Sequence, residues 1–171
     1  MEPRPASASR SVLVKWMGVT DANLAGFVHG GTVMKMCDEA AGIAAIKHSG
    51  RRAVTAAMDR MAFLHPVHVG ELLTCSACVN AVWRTSMEVG VRVEAENPVS
   101  GEKRHTSTAY LTLVALDDEG RPTPAPPLSA ETETEQRRQR EAELRRRNRL
   151  GEREQILSGR GEPEAAPRPS S

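Results

Sequence analysis

The segment from Val33 to His48, VMKMCDEAAGIAAIKH, constrains the fold more than any other. Its Met, Ala, Lys and Glu favour a helix, it runs too long for an ordinary strand, and Ser49-Gly50 supplies a stop. A helix that is apolar or small on nearly every side must be covered on nearly every side. Strands supply the cover: from Arg52 to Leu116 the texture shifts to a period of two. Met87, Val89, Val91, Val93 and Ala95 alternate with Glu88, Gly90, Arg92, Glu94 and Glu96, which describes a half-buried strand.

Further strands are expected over Ser11–Val19, Ala53–Phe63, Glu71–Val82 and Glu102–Leu116. The breaks between the later ones, HPVHVG, WRT and NPVSG, contain Pro or Gly or are short enough for hairpins. The order is strand, helix, then four antiparallel strands. The expected class is α+β, with a long central helix wrapped by a curved antiparallel sheet.

Residues 1–10, MEPRPASASR, read as a loose arm, and the folded domain as residues 11–128. The Pro-rich exit DDEGRPTPAPPL, with Pro122, Pro124, Pro126 and Pro127, ends the core. Residues 129–157 are rich in Glu, Arg and Gln. Glu133 and Arg137, Glu141 and Arg145, and Glu143 and Arg147 stand four apart in the favourable order, so this tail is expected to be a solvated helix. Residues 158–171 read as disordered.

A net charge of +1 gives no global field toward nucleic acid or an anionic membrane. The RRRNR run (Arg145–Arg149) has glutamates around it and no aromatic partner, which fits a solvated tail better than a nucleic-acid surface. Three cysteines, no signal-like N-terminus and no apolar run near the roughly 20 residues of a membrane span point to a reducing cytoplasm. Cys75 and Cys78 fall three apart on a strand and so face opposite ways, as two structural thiols rather than a chelating pair. His29, His48, His65, His68 and His105 show no metal-ligand spacing, and no GxSxG, GxGxxG or P-loop pattern occurs.

Two features remain. Gly30-Gly31 at a helix entry offers backbone amides to an anion, although glycine there also suits close packing. Asp38 lies mid-helix. Lys35 and Glu39 pair with each other at i,i+4, which leaves Asp38 to a tertiary partner, to solvent or to chemistry.

The segments NLAGFVHGGTVMKMCDEAAGIAA, VTAAMDRMAFLHPVHVGE, RTSMEVGVRVEAE and TAYLTLVALDDEGRPTPAPPL resemble, in order and over about Lys15 to Leu128, the hotdog-fold acyl-CoA thioesterases, in particular their cytosolic acyl-CoA hydrolase branch. The resemblance implies hydrolysis of fatty acyl-CoA to fatty acid and CoA. Asp38 would be the catalytic base or nucleophile, Asn23 would position water or polarise the substrate, and the Gly30 and Gly31 amides would hold the oxyanion.

No metal or redox cofactor is implied, since coenzyme A enters as part of the substrate. Its phosphates point first to Arg84, with Thr85 and Ser86 as donors, and less to Arg60 and the Val67–Gly70 segment; His29 is a further contact. Asp59 is expected to be structural. Asp38 stands roughly 10 Å along the helix axis from the Gly31 amide, too far for one carbonyl to meet both. The site is therefore expected to join two subunits of a dimer, within a hexamer built as a trimer of dimers. Two other functions remain open: a hotdog enoyl-CoA hydratase or dehydratase using His29, and a non-catalytic acyl-CoA-binding protein.

Overall fold

The computed structural model describes residues 1–160. The chain divides into two units, Met1–Ser129 and a second that begins at Ala130. The first contains, in order, β1 (Arg4–Pro5), β2 (Ser11–Trp16), α1 (Gly30–Ser49), β3 (Arg52–Met58), β4 (Leu72–Val82), β5 (Ser86–Glu96), β6 (Lys103–Leu116) and β7 (Leu128–Ser129). Five strands make one antiparallel sheet in the order β2-β4-β5-β6-β3, so β2 and β3 are its edges.

The alternation on β5 holds except at Glu88, expected on the polar face but fully buried, where it accepts from Asn80 Nδ2 at 3.2 Å. Met87, Val89, Val91, Val93 and Ala95 are fully buried, alongside Leu73 and Cys75 of β4 and Leu111, Leu113 and Ala115 of β6. Against this face α1 lays Ala40, Ala41, Ala44 and Ala45, all completely buried. Side chains this small let the helix axis approach the sheet closely, and Ser11 Oγ donates to the Ala40 carbonyl at 2.7 Å. Gly50 ends α1 in the left-handed region (φ 67°), which only glycine adopts without strain.

Several boundaries differ from the expectation. The helix begins at Gly30 rather than Val33, because His29 caps it through its ring. β2 stops at Trp16 and β3 at Met58, each giving way to a loop; Asp59 lies just past β3, where its amide donates to the Tyr110 carbonyl at 2.8 Å.

The largest correction concerns residues 1–10, which are not a loose arm. β1 pairs in parallel with β7, and Ala6 and Ser9 are buried in a 3-10 turn. Ser9 Oγ donates to the Ala6 carbonyl (2.7 Å) and accepts from the Val79 amide (2.9 Å). Arg4 donates to the His48 carbonyl at 2.7 Å, satisfying an orphan group at the end of α1. Small side chains and prolines had hidden a segment held by polar contacts rather than by apolar bulk.

The second unit contains α2 (Glu133–Gly159), with a capping box between Thr132 and Glu135 and the Arg137–Glu141 pair at 2.6 Å. The helix runs two residues into the stretch read as disordered; residues 161–171 lie outside the described residues.

Candidate active site

Asp38 lies two turns into α1, half-buried, where the helix passes edge strand β3. Among the described residues its hydrogen-bond partner is Thr55, whose Oγ1 donates to Asp38 Oδ1 at 2.5 Å. One carboxylate oxygen is thereby fixed by the strand, and Oδ2 has no hydrogen-bond partner among the described residues. Lys35 leans toward Glu39 at 3.9 Å, as their spacing suggested. Behind Asp38, Cys37 is completely buried, and its hydrogen bond to Cys75 together with burial pushes its thiol well up.

A second group forms around the start of α1. Asn23 Oδ1 accepts from the amides of Ala25 (2.9 Å) and Phe27 (3.2 Å), closing an Asx turn. The carboxamide oxygen is thus spent on its own loop, and the Nδ2 hydrogens are what the residue offers outward. Asp21 anchors this loop: its Oδ1 takes Lys15 Nζ at 2.5 Å, its Oδ2 the Gly18 amide at 2.9 Å, and its carbonyl the His29 amide at 2.7 Å. The Lys15 bond, foremost, holds the Asp21 carboxyl below its ordinary pKa.

Gly30 and Gly31 separate in role. The Gly31 amide donates to His29 Nδ1 at 2.9 Å, so His29 serves as the helix cap and Gly31 is already satisfied, which corrects the expectation of two free amides. A Cβ on Gly31 would sit 3.0 Å from that ring nitrogen. The Gly30 amide has no partner among the described residues.

The Val67–Gly70 segment braces this end. Val67 is buried, with its carbonyl accepting from the Val28 amide at 2.8 Å. Arg104 grips Glu71 through both carboxylate oxygens at 2.6 Å and reaches the Pro66 carbonyl at 2.9 Å. Burial pushes the Glu71 carboxyl up, but Arg104 and the His68 amide outweigh it, and the net shift is downward.

Arg84, Thr85 and Ser86 are not brought to this group. Ser86 pairs with Val114 at one end of the sheet, whereas Glu96, at the other end of β5, pairs with Lys103 beside Arg104. An eleven-residue strand spans roughly 35 Å, so Arg84 in one chain cannot serve a ligand held by Asn23 of that chain. Its turn is held through carbonyls, Arg84 to the Ala125 amide (3.1 Å) and Thr85 to the Ala115 amide (2.9 Å), with the Arg84 side chain exposed. Arg60 lies in the loop after β3. Thr55 escaped the sequence reading. Its signal was present, as the one hydroxyl in phase with the inward residue Ala53 on β3.

A family model for the thioesterase superfamily matches residues 25–102. The rat cytosolic acyl coenzyme A thioester hydrolase is 40% identical over 129 residues, covering 74% of this chain and 34% of the rat protein; the chain thus spans about a third of that relative's length. The crystal structure of an apo-hexameric acyl-CoA thioesterase superposes with a TM-score of 0.86 at 36% identity, covering 89% of this chain and 97% of the other. An acyl-CoA hydrolase from Staphylococcus aureus, in complex with butyryl coenzyme A and coenzyme A, superposes with a TM-score of 0.82 at 32% identity, covering 93% and 99%.

The chain belongs to the hotdog-fold thioesterase superfamily, within its acyl-CoA thioester hydrolases. Structures of the Staphylococcus aureus protein include variants in which an asparagine, an aspartate and a threonine, 15 and then 17 residues apart, are each replaced by alanine. Asn23, Asp38 and Thr55 stand at the same spacing here.

Proposed function

We propose that this chain hydrolyses fatty acyl-CoA to a free fatty acid and coenzyme A at a site that two copies complete. The observation that carries the reading is the Asp38–Thr55 pair, a carboxylate fixed on one oxygen and open on the other, on a face of α1 that its own sheet leaves uncovered. Asp38 Oδ2 takes a proton from the water attacking the thioester carbonyl and returns it to the CoA sulfur as the C–S bond breaks, or attacks the carbonyl itself and expels CoA thiolate, leaving an acyl–Asp38 anhydride that water then hydrolyses. The oxyanion that forms is met by the unpartnered Gly30 amide at the positive end of a helix and by Asn23 Nδ2. Because α1 rises about 1.5 Å per residue, Gly30 and Asp38 of one chain stand roughly 12 Å apart, so the two halves come from different copies. The chemistry asks for a carboxylate and water, with coenzyme A arriving in the substrate.

The hexameric relatives support a homo-oligomer, and the separation of Gly30 from Asp38 asks for a dimer as its catalytic unit. Among the described residues no helix is long and apolar enough to cross a membrane, and with relatives named cytosolic this supports a cytosolic enzyme. The hydratase reading is the weaker one, because His29 Nδ1 is occupied as the cap of α1.

Thiol release from acyl-CoAs of graded length, wild type against Asp38→Asn, tests the activity, with crotonyl-CoA hydration as the control for a hydratase. Tight binding without turnover would leave a non-catalytic binder. Mixing Asp38→Ala with Asn23→Ala tests the shared site: each alone is inactive and the mixture regains part of the activity, whereas a mixture as dead as its components rejects it.

A further inference from the structure

Gly42 sits in the interior of α1 without a structural reason within this chain. Glycine is among the worst residues for a helix interior, because it gives up the most backbone freedom and packs nothing. A left-handed conformation would justify it, but Gly42 is not among the glycines with positive φ. Close packing would justify it too, yet a Cβ built at Gly42 meets nothing within 4 Å. What requires the missing side chain therefore approaches from outside the chain.

Its position says what that is. Asp38, Gly42 and Ile46 stand four residues apart and form one ridge of the helix. Ile46 is 46% exposed and Ile43, beside it, 40%. On the neighbouring edge strand, the residue two before Thr55 and on the same face is Ala53, again small. From the carboxylate toward the C-terminal end of α1, the surface is first nearly bare of side chains and then apolar. Toward the N-terminal end it is polar, with the Gly30 amide, the His29 ring and the Asn23 loop. Since that polar end is, in the proposed two-copy site, the half that serves the other copy's substrate, the acyl arm of a thioester held at Asp38 is left the apolar direction.

We infer that Gly42 forms the floor of the acyl channel, the acyl chain of the substrate running from Asp38 over Gly42 to Ile46, and that this residue sets which chain lengths are accepted. The inference rests on the proposed role of Asp38 as the point where the thioester carbonyl is held. Gly42 lies roughly 6 Å and Ile46 roughly 12 Å along the axis from Asp38. A zigzag alkyl chain with C–C bonds of about 1.5 Å advances about 1.25 Å per carbon. Gly42 is therefore passed by about the fifth carbon and Ile46 by about the tenth.

The test compares wild type, Gly42→Leu and Ile46→Trp by kcat/KM for butyryl-, octanoyl- and palmitoyl-CoA, with the molar mass of each assembly in solution. In Gly42→Leu the octanoyl-to-butyryl ratio falls at least about thirtyfold from the wild-type value. In Ile46→Trp that ratio holds within about threefold, and only the palmitoyl-to-butyryl ratio falls. Equal losses at every length in Gly42→Leu overturn the inference, and so does dissociation of the assembly, which would make Gly42 a helix-crossing point between copies. The same ratios read as dissociation constants in an Asp38→Asn background separate the two levels. If the wild type turns nothing over, the proposed activity fails, while length-selective loss of binding in Gly42→Leu still supports the channel and its absence still rejects it.

Discussion

Thr55→Val is the substitution that most directly probes how Asp38 is held. Valine keeps the β-branched shape that suits an edge strand and removes only the hydroxyl, so the sheet is undisturbed. The bond lost runs from Thr55 Oγ1 to Asp38 Oδ1 at 2.5 Å. A hydrogen bond to a charged group contributes roughly 1.5–3 kcal/mol. If that energy fixes the carboxylate rotamer in the transition state, kcat falls by roughly one to two powers of ten, at about 1.36 kcal/mol per factor of ten. The assay is thiol release under saturating acyl-CoA, with thermal melting to show that the fold is intact. Thr55→Ser, which keeps the hydroxyl, recovers activity to within a few fold. A Thr55→Val enzyme as fast as wild type, or a Thr55→Ser enzyme as slow as Thr55→Val, refutes the reasoning.

Two further predictions concern the fold. His48 is completely buried, with Nε2 donating to the Pro126 carbonyl at 2.9 Å and Nδ1 without a partner among the described residues. Burial, foremost, holds its pKa below the ordinary histidine value, the Pro126 bond pushing the other way and Arg4 reinforcing the lowering. The unfolded chain then takes up a proton before the folded one does, so stability falls as pH drops below about 6.5. The melting temperature of wild type should decline between pH 7 and 5 more steeply than that of His48→Gln; parallel slopes count against the assignment. On the sheet, a Cβ at Gly90 would lie 2.6 Å from Asn80 Nδ2, which bonds Glu88 Oε1 at 3.2 Å within the buried interior. Gly90→Ala should cost about 1–3 kcal/mol in denaturant unfolding and much less in an Asn80→Ala background. Additive losses would show that the clash is absorbed elsewhere.

What was legible in the sequence followed from periodicity. The β5 alternation and the apolar run of α1 gave the class and the element order, because burial on one face or on all faces is written directly into residue type. The site was less legible, for three different reasons. His29 was seen as a candidate substrate contact heading HGG, but that its ring caps the helix and consumes the Gly31 amide depends on a rotamer no pattern reports. Thr55 meets Asp38 across 17 residues of chain, and a hydroxyl in phase with Ala53 becomes a signal only once β3 is known to pass beside α1. Arg84 followed from a sensible demand for a cation, yet register puts its turn at the far end of the sheet from Asn23. Residues 1–10 failed because arms held by hydrogen bonds and small buried residues look like linkers.

The expectation that α1 would be covered on nearly every side carries the last step. Toward its own sheet the helix turns Ala40, Ala41, Ala44 and Ala45 together with Val33, Met36 and Cys37, while Met34, Ile43 and Ile46 point away and stay 40–46% exposed. In a self-sufficient domain those three would be covered as well, since large apolar groups contribute most on burial. The open face adjoins β3, a sheet edge whose outer backbone groups have no strand beside them. Asp38 and Thr55 stand on the margin between the two. A surface that is apolar, edge-exposed and lined by the carboxylate proposed for chemistry is what one half of a site looks like when a second copy supplies the other.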